Sequence, residues 1–174
     1  KVIAHDPYIS KDTKLDIPVE LVEMDEIFKR SDIITVHTPL TSGTRNLISK
    51  GSIDLMKDGV IIINCARGGI VNEEDVVEGI KKGKIGGVAL DVFEHEPPDF
   101  KSSIFNQNNK VIFTPHLGAS TQEAQMKVGI AMAEQIIEYA NDGVVTNAVN
   151  MPSMSHEILS KIQPFLELSE KLGS

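Results

Sequence analysis

Cysteine is nearly missing from this chain: Cys65 is the only one among 174 residues, so no internal disulfide can form. Positive charge is also in short supply. Lys and Arg number 17 against 25 Asp and Glu, giving a formal charge of −8 and a pI near 5.1. Such a surface argues against nucleic acid or an anionic membrane as the main partner. No uninterrupted apolar run approaches the roughly 20 residues that cross a bilayer. The amino end has no basic-plus-apolar leader, and there is neither an internal repeat nor a low-complexity tract. These absences predict a soluble, cytoplasmic protein with no nucleic-acid or membrane partner, and no metal site is expected. The apolar content of 41% and near-zero mean hydropathy describe an ordinary globular chain, long enough for one domain with a real core, or one domain and part of a second.

What is present is organised around Val60 to Val71. An apolar, β-branched run, Val60-Ile61-Ile62-Ile63, stops abruptly at Asn64-Cys65-Ala66-Arg67-Gly68-Gly69. A run without polar alternation predicts a parallel strand covered on both faces. Ligands of open parallel sheets sit beyond the carboxyl ends of the strands, where Arg67 stands. Its permanently charged, planar guanidinium suits a carboxylate, although a surface arginine in a strand-to-helix turn explains the same residues. Cys65 reads as a buried strand-end thiol that packs rather than reacts.

The rest of the chain alternates strands and helices. Val2 to Pro7 reads as a short strand closed by its acid, Asp6, and proline, Val19 to Val22 as another, and Met24 to Arg30 as a short helix. Asp32 to Leu40 predicts a buried strand that ends at a polar turn, with Thr38 and Pro39 at its carboxyl end, and Asn46 to Met56 a partly helical segment. Asn72 is placed to cap a helix with Glu73, Glu74 and Asp75 in its first turn, acids whose fit to the helix dipole is explanation enough. Further strands are expected at Gly86 to Phe93 and Val111 to Pro115. From Ser120, with Glu123 in capping-box spacing, a long helix should run to about Asn141 and stop at Gly143. Asn147 to Pro152 reads as a connector, and Ser155 to Leu172 as an amphipathic helix interrupted at Pro164. Repeated strand-then-helix spacing predicts an α/β fold with a doubly wound parallel sheet.

Four strand ends then present Thr38, Arg67, Asp91 and His116, and the loop after one of them adds Glu96. A carboxylate beside an imidazole holds it protonated toward neutral pH and so makes a usable acid pair. An arginine beside them could hold the carboxylate of a keto acid while the histidine protonates the carbonyl oxygen. That arrangement suits hydride transfer, with the hydride drawn from a cofactor. Each residue also has a plainer explanation: His116 as a satisfied histidine at a helix start, Glu96 as an exposed acid before prolines, Asp91 as a strand-end cap, Asp6 as the start of a turn.

Together, Thr38-Pro39-Leu40, Asn64 to Gly69, Leu90-Asp91-Val92-Phe93 with Glu96-Pro97, and Pro115-His116-Leu117-Gly118-Ala119-Ser120-Thr121 resemble the NAD-dependent D-2-hydroxyacid dehydrogenases, in the family's order. Within that family the wording is nearest to the branch acting on 3-phospho-D-glycerate, on the route to serine. The resemblance implies that His116 is the general acid/base, Glu96 its carboxylate partner and Arg67 the substrate anchor. It also implies an NAD site formed by Asp6 at the adenosine ribose, Thr38, Cys65, Ala66, Arg67, Asp91 at the nicotinamide carboxamide, His116, Gly118 and Ala119. His37 and His95 receive no role. A small, phosphorylated 2-hydroxy or 2-keto acid is the implied substrate, and a homodimer or tetramer the implied assembly. A non-catalytic NAD-sensing corepressor of the same fold, or a dehydrogenase for another small 2-hydroxy acid, is the competing expectation.

One departure from the family pattern is large. No G-x-G-x-x-G turn precedes Asp6. Residues 1–146 are therefore expected to form a Rossmann-like domain incomplete at its amino end, without its first strand and glycine-rich turn. Residues 147–174 are expected to begin a further, regulatory or intervening, region. Such a piece should be inactive alone.

Overall fold

The computed structural model of the chain describes residues 1–10, 13, 16–98, 109–118, 120–150 and 156–173. It forms two compact units, residues 1–118 and 119–174.

In the first unit every strand pair is parallel. Strand β1 (Val2–Ala4) pairs with β2 (Val19–Leu21), and a separate four-stranded sheet has the order β3-β4-β5-β6, with β3 at Ile33–Val36, β4 at Val60–Asn64, β5 at Ile85–Leu90 and β6 at Val111–Phe113. The helices between them are α1 (Met24–Arg30), α2 (Lys50–Leu55) and α3 (Glu73–Lys81). Helix α3 starts where the sequence predicts, with Asn72 Oδ1 accepting from the Asp75 N–H at 3.0 Å. Segment 46–56 is helical only over α2, entered through a reciprocal Ser49–Ser52 box.

The register sorts side chains onto two faces. Ile34, Val36, Ile62, Val88 and Leu90 point to one side and pack with Phe28 of α1, Ile53 of α2 and Val76 and Ile80 of α3 in a single buried cluster. On the other side lie Ile33 and Ile61, 58% and 39% exposed, and Ile112, also exposed. The expectation that β4 is covered on both faces is thereby corrected: its isoleucines alternate between a core and an open, apolar face. Pattern alone could not tell these apart, because both positions carry the same side chain.

At the amino ends of the strands, exposed ion pairs join neighbouring turns. Lys57 Nζ meets Asp32 Oδ1 at 2.8 Å, ahead of β4 and β3, and Lys84 Nζ meets Asp58 Oδ1 at 2.9 Å, ahead of β5 and β4. Near β2, Glu20 accepts from both terminal nitrogens of Arg30, at 3.0 and 2.9 Å, and pairs with Lys1; these bonds lower its pKa to about 2.

The second unit contains α4 (Gln122–Asp142) and α5 (His156–Gly173). Helix α4 is capped by Thr121, whose Oγ1 accepts from the Ala124 N–H at 3.1 Å, rather than by Ser120 as expected; both hydroxyls suit a cap, and sequence could not choose between neighbours. Gly143 ends α4 in a left-handed conformation, φ 66°. No residue of α4 is buried, and Met126, Ile130 and Ile137 are exposed. Helix α5 runs through Pro164 instead of being interrupted there. The missing proline N–H costs one ladder bond, which the turns on either side tolerate. Among the described residues no helix is long and apolar enough to cross a membrane.

Candidate active site at the carboxyl ends of β3 to β6

Because β3 to β6 are parallel and adjacent, the segments leaving them share one rim of the sheet. Residues 37–40 after β3 and 65–67 after β4 line a cleft of about 470 Å³ there.

The turn after β4 is built by Asn64. This side chain is 1% exposed, and burying an amide is costly unless both ends find partners. Its Oδ1 accepts from the Ala66 N–H at 3.0 Å and its Nδ2 donates to the Arg67 carbonyl at 2.9 Å. The chain therefore folds over Asn64 and presents Arg67 at the cleft, exposed, with Nη1 donating to the Ala66 carbonyl at 2.7 Å and its other donors turned to no protein partner among the described residues. A Cβ on Gly68 would stand 1.7 Å from the Phe93 carbonyl oxygen, so only glycine lets this turn lie against the backbone leaving β5. Cys65 is exposed, which corrects its expected burial: it sits past the last residue of β4, in the cleft wall.

The end of β5 organises the acid pair. Glu96 Oε1 accepts from the Phe93 N–H at 3.0 Å, and Glu96 Oε2 meets His116 Nδ1 at 2.7 Å. The His116 bond, with help from the Phe93 N–H, holds the Glu96 carboxyl below its ordinary pKa. Two residues before Phe93, Asp91 is 5% exposed, and its carboxylate is wholly occupied by the His116 loop. Oδ1 accepts from the Thr114 hydroxyl and from the Leu117 N–H at 2.7 Å, and Oδ2 accepts from the Gly118 N–H at 2.9 Å. Burial alone would push its pKa up; the Thr114, Leu117 and Gly118 bonds outweigh that and leave it below the ordinary value. His116 itself has a left-handed backbone, φ 56°, uncommon outside glycine.

The structure thus brings Glu96 to His116, ties Asp91 to the His116 loop, and packs the Arg67 turn against the chain that leads to Glu96. Thr38, Cys65 and Ala66 share the cleft with Arg67. Asp6 lies elsewhere, after β1 in the two-stranded sheet, exposed, with Oδ1 accepting from the Tyr8 N–H at 2.9 Å in the turn-starting role set out as its plainer explanation. Ala119 lies outside the described residues. His37 Nε2 pairs with Thr35 Oγ1 at 2.9 Å beside the cleft. Sequence reasoning missed Asn64 and Thr114 as organisers of the rim. It also missed Glu73, whose Oε1 accepts from the Glu94 N–H at 2.8 Å and pins the loop bearing Glu96 to the start of α3. A glutamate in a first helical turn carries no signal that separates this tether from dipole compensation.

The cleft suits a cofactor by one independent mark. Thr38 Oγ1 is sealed from solvent and has no hydrogen-bond partner among the described residues, although an unpaired buried hydroxyl is costly. A polar ligand in the cleft would satisfy it. Similarity to known proteins agrees. The sequence profile of the D-isomer specific 2-hydroxyacid dehydrogenase NAD-binding domain matches residues 1–118. D-3-phosphoglycerate dehydrogenase of Archaeoglobus fulgidus is 48% identical over 172 residues, covering 99% of this chain and 32% of the relative. The chain therefore spans about a third of the length of that curated relative. Among solved structures, D-2-hydroxyisocaproate dehydrogenase superposes with a TM-score of 0.75 at 28% identity, over 85% of this chain and 48% of the other. D-lactate dehydrogenase with NAD+ from Lactobacillus jensenii gives 0.71 at 28% identity, over 81% and 46%. A parallel sheet whose carboxyl rim joins a paired histidine and glutamate to an NAD-type cleft, under a profile spanning the whole first unit, puts this chain in the D-isomer specific 2-hydroxyacid dehydrogenase family, as a bearer of its NAD-binding domain.

Proposed function

We propose that the chain works within an enzyme that interconverts a 2-hydroxy acid and its 2-keto acid with NAD, and that the substrate is 3-phospho-D-glycerate, on the route to serine. The observation that carries this reading is the 2.7 Å contact between His116 Nδ1 and Glu96 Oε2 at the rim of the sheet. With Nδ1 engaged, Nε2 is the ring nitrogen left to exchange a proton with the substrate oxygen. The Glu96 carboxylate, bonded to Nδ1, holds the ring in the orientation that presents Nε2. Arg67 binds the substrate carboxylate with its remaining guanidinium donors and so orients the reacting carbon. NAD, when bound, supplies the hydride chemistry that no side chain has. Thr38, Cys65 and Ala66 wall its cleft, with Arg67, His116 and Gly118 around the reacting end. Asp6 accepts from the adenosine ribose and by its charge selects NAD over NADP.

In this reading residues 1–146 belong to the cofactor domain and 147–174 to a further region. The domain is completed by one more parallel strand, with its glycine-rich turn, between β1 and β3. The support is the sheet itself: the order 3-2-1-4-5-6 with its third place empty gives a β2-β1 pair and a separate run starting at β3, as observed. We further propose a cytoplasmic homodimer or tetramer, with the apolar, unburied length of α4 as the surface that a second copy covers.

The test is an assay of the enzyme containing this chain, with NADH and either 3-phosphohydroxypyruvate, hydroxypyruvate or pyruvate. Reduction should be fastest with the phosphorylated acid. His116→Ala should cut turnover by about 10²–10⁴-fold while NADH binding holds. Preference for an unphosphorylated acid overturns the substrate assignment, and near-normal turnover of His116→Ala overturns the mechanism.

A further inference from the structure

The three bonds to Asp91 straddle the histidine: Thr114 lies two residues before His116, Leu117 and Gly118 one and two residues after it. Between these anchors the His116 N–H reaches the Thr114 carbonyl at 3.0 Å, and the backbone takes its left-handed turn. An L-residue adopts that conformation only where its surroundings over-determine it. The backbone of Asp91 is fixed in turn, its N–H donating to the Asn64 carbonyl at 3.0 Å at the base of the Arg67 turn. We propose that Asp91 is a positioning residue: its carboxylate clamps the 114–118 loop and so sets the direction from which the His116 imidazole meets Glu96 and substrate.

This differs from the role that family resemblance gives Asp91, a contact to the cofactor's carboxamide. Both carboxylate oxygens already accept hydrogen bonds from the protein, and the residue is buried. A carboxylate serves this clamp where an amide cannot. All three partners are donors, so an asparagine would turn its NH₂ toward at least one N–H or O–H.

The inference rests on the dehydrogenase reading, and the experiment separates the two. Asp91→Asn, Thr114→Val and Thr114→Ser are made in the enzyme containing this chain. Turnover at saturating NADH, the NADH dissociation constant by fluorescence, and amide hydrogen exchange at Leu117 and Gly118 are measured for each. The clamp predicts that Asp91→Asn lowers kcat by about 100-fold, as a misplaced catalytic group does. NADH affinity should stay within about twofold, and both amides should lose protection by the order of magnitude expected when their acceptor is lost. Thr114→Val, which removes one arm, should shift kcat and protection the same way but less, and Thr114→Ser should restore most of what Thr114→Val loses. A raised NADH dissociation constant with kcat and amide protection unchanged would overturn the proposal in favour of a cofactor contact. Exchange that responds as expected in a parent protein inert toward every 2-keto acid would leave the clamp standing and sink the dehydrogenase reading beneath it.

Discussion

Gly68 shows how tightly single positions are constrained at the rim. Adding one methyl there places carbon inside the Phe93 carbonyl, with backbone on both sides and no side chain to swing aside. Gly68→Ala should therefore cost about 1–3 kcal/mol of stability, as overpacking does, and lower turnover more than stability loss explains, because the Arg67 turn and the Glu96 loop separate. Urea denaturation beside kinetics checks this. Glu96 carries the pH prediction. Its folded pKa lies below the ordinary carboxyl value, so its stabilising contribution is complete above that value and fades as pH falls through the depressed one. The melting-temperature gap between the native protein and Glu96→Gln should be widest above about pH 5 and narrow as pH falls below it; a gap that widens on acidification contradicts the assignment. Much of this chemistry was legible in the sequence, because Arg67, Asp91 and His116 each follow an apolar run that ends abruptly. Asn64 was not legible, since a polar residue closing a strand gives no sign of the two hydrogen bonds it makes inside the turn. The exposure of Cys65 was hidden for a related reason: burial at a strand end changes within one residue.

At the level of elements, the helices that announced themselves by capping chemistry are those whose starts were legible. Asn72 begins α3 as expected, and its truncation to alanine should cost about 1 kcal/mol, measurable by thermal or urea unfolding, with no change in cofactor binding. The start of α4 slipped by one residue between two adjacent hydroxyls, and α5 absorbed a proline expected to break it. Strand positions followed from β-branched runs, but their ends shortened: β5 stops at Leu90. Past it, the Asp91 carboxylate goes to the His116 loop and the Phe93 N–H to Glu96. What the sequence could not express is which face of β4 finds cover, because isoleucine occupies both.

For the molecule as a whole, the parallel order of β3 to β6 was legible from alternating strands and helices, as was the placing of the site along one rim. The division of the sheet between β1 and β3 decides what the chain can do by itself. An unpaired backbone edge seeks a partner, and Asp6, the proposed ribose acid, belongs to the two-stranded sheet and not to the one that leads to Thr38 and Arg67. The 174-residue chain should accordingly bind NADH at least about tenfold more weakly than the enzyme containing it, a difference of about 1.4 kcal/mol readable by titration. Equal affinity would show that the cleft beyond β3 and β4 suffices. The opposite rim has another fate. There Lys57–Asp32 and Lys84–Asp58 are exposed pairs that add little to stability, far from any reacting atom. Parallel strands have thus sorted the polypeptide into a margin where almost every substitution is felt and one where charges can be exchanged freely. Lineages adapting this scaffold to heat, salt or new neighbours have a place to do so without disturbing its chemistry.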